Sequence, residues 1–182
     1  MSERHLDPRR LDLMAVARLG QLLQGTVSQD ALPRLVSSVC LDVSAGSEVS
    51  WSAQPEWRAV KGVAPQLWLH LSARSVVILV CQRCLQPMKQ PLVVERSFMF
   101  VADEDEAARL DEDSDDDVLV LPKSLDLQTL LEDELILALP IVPRHEACPE
   151  PLPRVSAPDD DIDAGPHPFA SLAVLRGRAK LN

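Results

Sequence analysis

Val76-Val77-Ile78-Leu79-Val80-Cys81-Gln82-Arg83-Cys84-Leu85 runs from a β-branched apolar stretch into a C-x-x-C, and Leu92-Val93-Val94-Glu95-Arg96-Ser97-Phe98-Met99-Phe100 follows. Short apolar runs of this kind read as buried strands. With the C-x-x-C between them, the pair predicts an antiparallel hairpin with both thiols at its tip, and Pro87 and Pro91 limit the start of the second strand. A tight turn points both sulfurs at one centre, which is the half-site geometry of zinc knuckles.

Working outward from the hairpin, Gln66-Leu67-Trp68-Leu69-His70-Leu71 alternates weakly and adds a strand, residues 40–52 are mixed, and Val118–Leu121 returns as a short strand. Leu11, Met14, Ala15, Leu19 and Leu22 recur at helical steps, so a first helix is expected from Pro8 to about Gln24, stopped by Gly25. Ser28 or Asp30 caps a second short helix through Val36. Asp126 caps a third from Leu127 to about Leu139, with Gln128, Glu132 and Asp133 on a polar face. Its second half, Leu135–Leu139, is apolar all round and must be enclosed, and Pro140 and Pro143 end it. The expected class is α+β: an antiparallel sheet with N-terminal helices and one packed helix after the sheet.

Composition sets the limits. Of 182 residues, 46% are hydrophobic, but there are three Trp, three Phe and no Tyr, so the core must be aliphatic. No stretch approaches the length of a membrane span, and the N-terminus lacks the apolar region of a signal peptide. A cytoplasmic protein with reduced thiols is therefore expected. Residues 1–148 form the expected single domain, with 103–117 an acidic disordered loop. Residues 149–167 are a Pro/Asp-rich linker. Residues 168–182 are a short amphipathic motif whose Phe169, Leu172 and Leu175 are candidates for binding a partner protein.

The net charge of −10 divides unevenly: residues 1–101 carry +3 and residues 102–182 carry −13, with ten acids between Asp103 and Asp117. A mildly basic body suits phosphate contact, which needs local positive charge. Arg83, Lys89, Arg96 and Arg144 are the candidate RNA-binding edge near the hairpin.

Roughly sixty residues after the C-x-x-C, His145 and Cys148 form an H-x-x-C. Together Cys81, Cys84, His145 and Cys148 have the ligand count of a tetrahedral zinc site. A redox pair and plain burial are the alternatives. A thioredoxin-type motif fits poorly, because a strand rather than a helix follows the C-x-x-C. Cys40 is assigned to the core, and His70, between apolar neighbours, to a satisfied sheet position. The Glu132-Asp133-Glu134 triplet is the candidate carboxylate pair of an enzyme, but neighbouring helical positions diverge by about 100°. Acids early in a helix also answer to the helix dipole. No Gly-rich phosphate loop and no G-x-S-x-G is present, and no catalytic residue is assigned.

Taken in order, Cys81-Gln82-Arg83-Cys84-Leu85, Asp126-Leu127, Glu132-Asp133-Glu134-Leu135-Ile136-Leu137-Ala138-Leu139-Pro140, His145 with Cys148, and Pro168-Phe169-Ala170-x-Leu172-Ala173-x-Leu175 resemble the bacterial YceD family. Members of that family are described as large-subunit ribosomal RNA accumulation proteins. The resemblance implies a role in the synthesis, processing or stability of 23S ribosomal RNA without an established enzymatic activity. The leading expectation is a non-enzymatic ribosome-biogenesis factor that binds large-subunit RNA or its precursor, a ribosomal protein, or both. The rivals are a divalent-metal-dependent RNA-processing enzyme and a protein-only adaptor whose acidic half attracts a basic ribosomal protein.

Overall fold

In a computed structural model that describes residues 7–39, 48–62, 64–112 and 116–149, the two apolar runs of the hairpin are parts of two long strands. Gln66–Val80 is one fifteen-residue strand, β3, rather than two pieces, and it pairs antiparallel with β4, Pro87–Val101, along its whole length. The period of two explains why β3 runs unbroken: Leu67, Leu69, Leu71, Ala73, Val77 and Leu79 all face the core. Val76 and Val80 face the other way, 47% and 37% exposed. Residues 76–80 are therefore not the most enclosed part of the strand.

Three further strands complete a five-stranded sheet in the order β1-β2-β3-β4-β5. β1 (Leu23–Ser28) and β2 (Glu48–Arg58) extend it antiparallel, and β5 (Asp117–Val120) pairs parallel with β4. The sheet is thus mostly antiparallel and the class is α+β. Three helices cover its inner face: α1 (Leu13–Leu19), α2 (Pro33–Ser38) and one after the sheet, Leu127–Leu137. Leu13 and Val16, Leu35, and Leu127, Leu131 and Leu135 from these helices meet Leu69, Leu71, Leu92, Val94 and Phe98 of the sheet in one aliphatic core. Reciprocal bonds between Leu11 and Leu125 at 2.9 Å fasten the N-terminus to the start of the last helix.

The first helix is shorter than its apolar spacing predicts. Asp12 accepts the Ala15 amide at 3.0 Å and starts it; Gly20, at φ 61°, ends it. Leu13, Val16 and Ala17 are its buried residues, while Met14, Leu19 and Leu22 are exposed. Gly25 is not a helix stop but a residue of β1, where a Cβ would stand 3.2 Å from the Trp51 ring. The second predicted helix is also divided. Ser28 accepts the Asp30 amide to open a single 3-10 turn, Gln29–Ala31, and α2 begins afresh at Pro33.

Residues 103–117 are not a disordered loop throughout. Asp103 caps Glu106 at 2.9 Å and opens α3, Glu104–Asp111, where Glu104, Asp105 and Glu106 sit in the first turn that the dipole favours for acids. Ala107 packs with Trp68, Met99, Val101 and Val118 on the outer face of the sheet, and this small second core orders the segment despite its charge. The post-sheet helix, α4, is capped by Asp126 as its sequence predicts, with the Thr129 amide at 2.9 Å. Its last turn is not enclosed, since Leu137 is 70% exposed. Cys40, the linker beyond Pro149 and the C-terminal motif with Phe169, Leu172 and Leu175 lie outside the described residues.

Candidate metal centre

α4 stops at Leu137, just before Pro140, and the chain runs on to the tip of the β3–β4 hairpin, where the Gln82 amide donates to the Pro143 carbonyl at 2.8 Å. The hairpin turn is closed by Cys81 N–H to Gln86 O at 3.0 Å and Leu85 N–H to Cys81 O at 2.9 Å. Leu85 takes a left-handed φ of 59°, a conformation that costs a branched residue energy and is held here by the turn around it.

These two segments bring Cys81, Cys84, His145 and Cys148 together, with their ligand atoms all within 4.8 Å of one another. Cys81 Sγ is 4.0 Å from Cys148 Sγ, and Cys84 Sγ is 3.3 Å from His145 Nδ1. With zinc–sulfur bonds near 2.3 Å, a tetrahedral site has edges of about 3.5–3.8 Å. The observed separations straddle that value, so the four donors fit a closed structural zinc site with no position left for substrate. Cys81 is fully buried and the other three are half-buried. Burial alone would raise the Cys81 thiol, but N–H groups of Cys84, His145 and Arg83, with the Cys84 side chain, outweigh it and hold Cys81 at about 5. Burial and the two neighbouring sulfurs push Cys148 up to about 11. A bound divalent metal would supply the positive charge that such closely spaced sulfurs lack.

The candidate basic edge does not stay together. Arg83 lies between the two knuckle cysteines and Arg144 precedes His145, so both flank the cluster. Lys89 is exposed on β4, opposite Ile78. Arg96 is elsewhere: it is opposite Leu71, ten residues down β3 from Cys81, and its Nε donates to Glu134 Oε2 at 3.2 Å. Burial raises the Glu134 carboxyl above its ordinary range, and Arg96 only partly offsets this.

The acidic triplet is engaged in the same way. Glu132 is buried, and its carboxylate accepts the Arg34 and Leu35 amides at 2.6 and 3.1 Å and Arg34 Nε at 3.0 Å. It serves as the missing N-cap of α2, because Leu32 at that position offers no side-chain acceptor. Arg34 also pairs with Asp133. Sequence reading missed this arrangement, and its one local trace is a helix that starts Leu32-Pro33 without a capping residue. His70 is satisfied as expected, with Ser97 Oγ at 2.8 Å and Glu56 Oε1 at 3.2 Å.

Residues 69–176 match the family model described as large ribosomal RNA subunit accumulation protein YceD. The chain belongs to the YceD family. A relative from Haemophilus influenzae, described as large ribosomal RNA subunit accumulation protein YceD, is 39% identical over 109 residues, covering 55% of this chain and 60% of the relative. The chain thus spans less than two thirds of the length of that YceD protein. No solved structure matches the chain. Among the described residues, no helix is long and apolar enough to cross a membrane.

Proposed function

We propose that this YceD-family chain is a non-enzymatic, cytoplasmic ribosome-biogenesis factor that supports the synthesis, processing or stability of large-subunit ribosomal RNA by binding that RNA at its zinc knuckle. The observation that carries the reading is the convergence of the four donors, which sets Arg83 and Arg144 on two segments joined by the Gln82–Pro143 bond. Bound zinc would supply structural rigidity there, fixing two flexible cationic side chains on a common edge. Phe169, Leu172 and Leu175 remain proposed contacts for a partner protein.

Charge placement supports the same end of the molecule. The acidic helix α3 follows the end of β4, which pairs with the beginning of β3, whereas the knuckle is at the far end of β3. Fifteen residues of strand separate the two by on the order of 45 Å, several Debye lengths at cellular salt. RNA at the knuckle is therefore screened from the acids of α3. The commitment of Glu132 to Arg34 and of Glu134 to Arg96 supports a binding role over a carboxylate-metal nuclease.

The test is a salt titration of binding to large-subunit RNA fragments. Arg83→Ala and Arg144→Ala should each weaken binding and lower the logarithmic salt slope by about 0.7–0.9, while Arg96→Ala leaves the slope unchanged. Equal slopes for wild type and both knuckle variants would overturn the reading in favour of a protein partner.

A further inference from the structure

All four donors lie within 4.8 Å of one another. The Cys84 sulfur has the shorter contact with His145 Nδ1, at 3.3 Å, and Cys81 Sγ stands 4.0 Å from Cys148 Sγ. Cys81 is buried, and its sulfur receives the Arg83 and His145 amides at 3.4 Å each, so both segments hold it in place. Cys148 is half-buried and open to a small solute. A disulfide needs its sulfurs about 2.05 Å apart, so forming one draws the pair together by about 2 Å.

We propose that Cys81 and Cys148 form an oxidative modification site, converted to a disulfide by hydrogen peroxide with release of the bound metal, while Cys84 stays a free thiol. The release step rests on the metal-centre reading; the choice of partners does not. Cys148, which a bound metal would hold as a thiolate and which otherwise first gives up its proton, attacks one peroxide oxygen; the O–O bond breaks, hydroxide leaves, and Cys148 becomes a sulfenic acid. The Cys81 thiolate attacks that sulfur, the S–S bond forms, the S–O bond breaks, and a second hydroxide leaves. Two protons convert the two hydroxides to water, and the two electrons lost by the sulfurs are those gained by the peroxide. Cys84 and His145 alone are too few ligands to retain zinc. The cross-link joins the hairpin tip to the segment after α4, so the Gln82–Pro143 docking survives oxidation while metal occupancy becomes tied to the thiol state.

Tryptic mapping of the full chain decides the point, because trypsin cuts after Arg83 and separates the knuckle cysteines. Cys81 falls in peptide 75–83, Cys84 in 84–89, Cys148 in 145–154 and Cys40 in 35–58. Protein purified without chelator is treated with one molar equivalent of hydrogen peroxide, alkylated without reduction and digested, and zinc in the ultrafiltrate is measured in parallel. The expected product links 75–83 to 145–154, leaves 84–89 alkylated, and releases one zinc per link; Cys84→Ser retains the link. A bond between 75–83 and 84–89, a bond from 84–89 to 145–154, or no disulfide at all would overturn the proposal. Protein that carries no zinc but still forms the 81–148 link would refute the metal reading and support the choice of partners.

Discussion

The Gln82 amide and the Pro143 carbonyl, 2.8 Å apart, join two segments that are sixty-one residues apart in sequence. With that bond formed, a C-x-x-C and an H-x-x-C that are each unremarkable alone share one centre. The Pro143 carbonyl, turned toward the hairpin, takes a donor that the turn leaves free. Replacing Gln82 with Pro removes the amide and should lower metal occupancy with all four ligands intact. Elemental analysis of Gln82→Pro beside Gln82→Ala, which keeps the amide and should retain the metal, checks this.

Glu132 should matter to folding more than to chemistry. Its carboxylate is buried and satisfies two amides of α2 and the Arg34 side chain. Glu132→Ala is expected to cost about 2–4 kcal/mol by urea denaturation, while Asp133→Ala, at an exposed pair, costs less than about 1 kcal/mol. Equal and negligible costs would mean that α2 does not depend on this cap.

Helix α3 yields a test against its own composition. Amides from Ala107 to Asp111 should exchange slowly with deuterium because they are hydrogen-bonded over the second core. Asp103→Ala should speed their exchange by about 1 kcal/mol in local stability. Exchange at random-coil rates in the wild type would restore the expectation of a disordered acidic loop.

The Glu134 carboxyl sets a pH dependence. Its folded pKa is raised from 4.5 by burial, so the folded state binds this proton more tightly than the unfolded chain. The associated stability is complete below about pH 4.5 and is lost as pH rises through the folded value. Glu134→Gln cannot titrate, so its stability relative to wild type should increase across that window, as measured by urea titrations at stepped pH. A constant difference between the two proteins would show that Glu134 titrates normally.

Much of the fold was legible because its signals are local. The apolar alternation of β3 and β4, the Asp126 cap and the C-x-x-C turn each follow from a few neighbouring residues. Misreadings arose where tertiary partners outweigh local pattern. The steps of Leu19 and Leu22 continue a helix in sequence, but Gly20 turns the chain and Leu23 enters the sheet against β2. Ten acids suggested disorder at 103–117, yet Ala107 and its contact with Trp68 hold a helix. At the site, the spacing of the C-x-x-C and the H-x-x-C pointed to the four donors that the fold gathers within 4.8 Å, and Arg83 and Arg144 are their neighbours in sequence. The engagement of Arg96 by Glu134 was not readable, since it depends on how α4 crosses the sheet.

The most direct test of the central claim is zinc K-edge absorption on protein purified without chelator, with zinc quantified per chain. The account predicts one zinc per chain with three sulfur neighbours near 2.3 Å and one nitrogen near 2.0–2.1 Å, and loss of that signal in Cys148→Ser. A folded wild-type protein that carries no zinc, or zinc with an oxygen-rich shell, would contradict it.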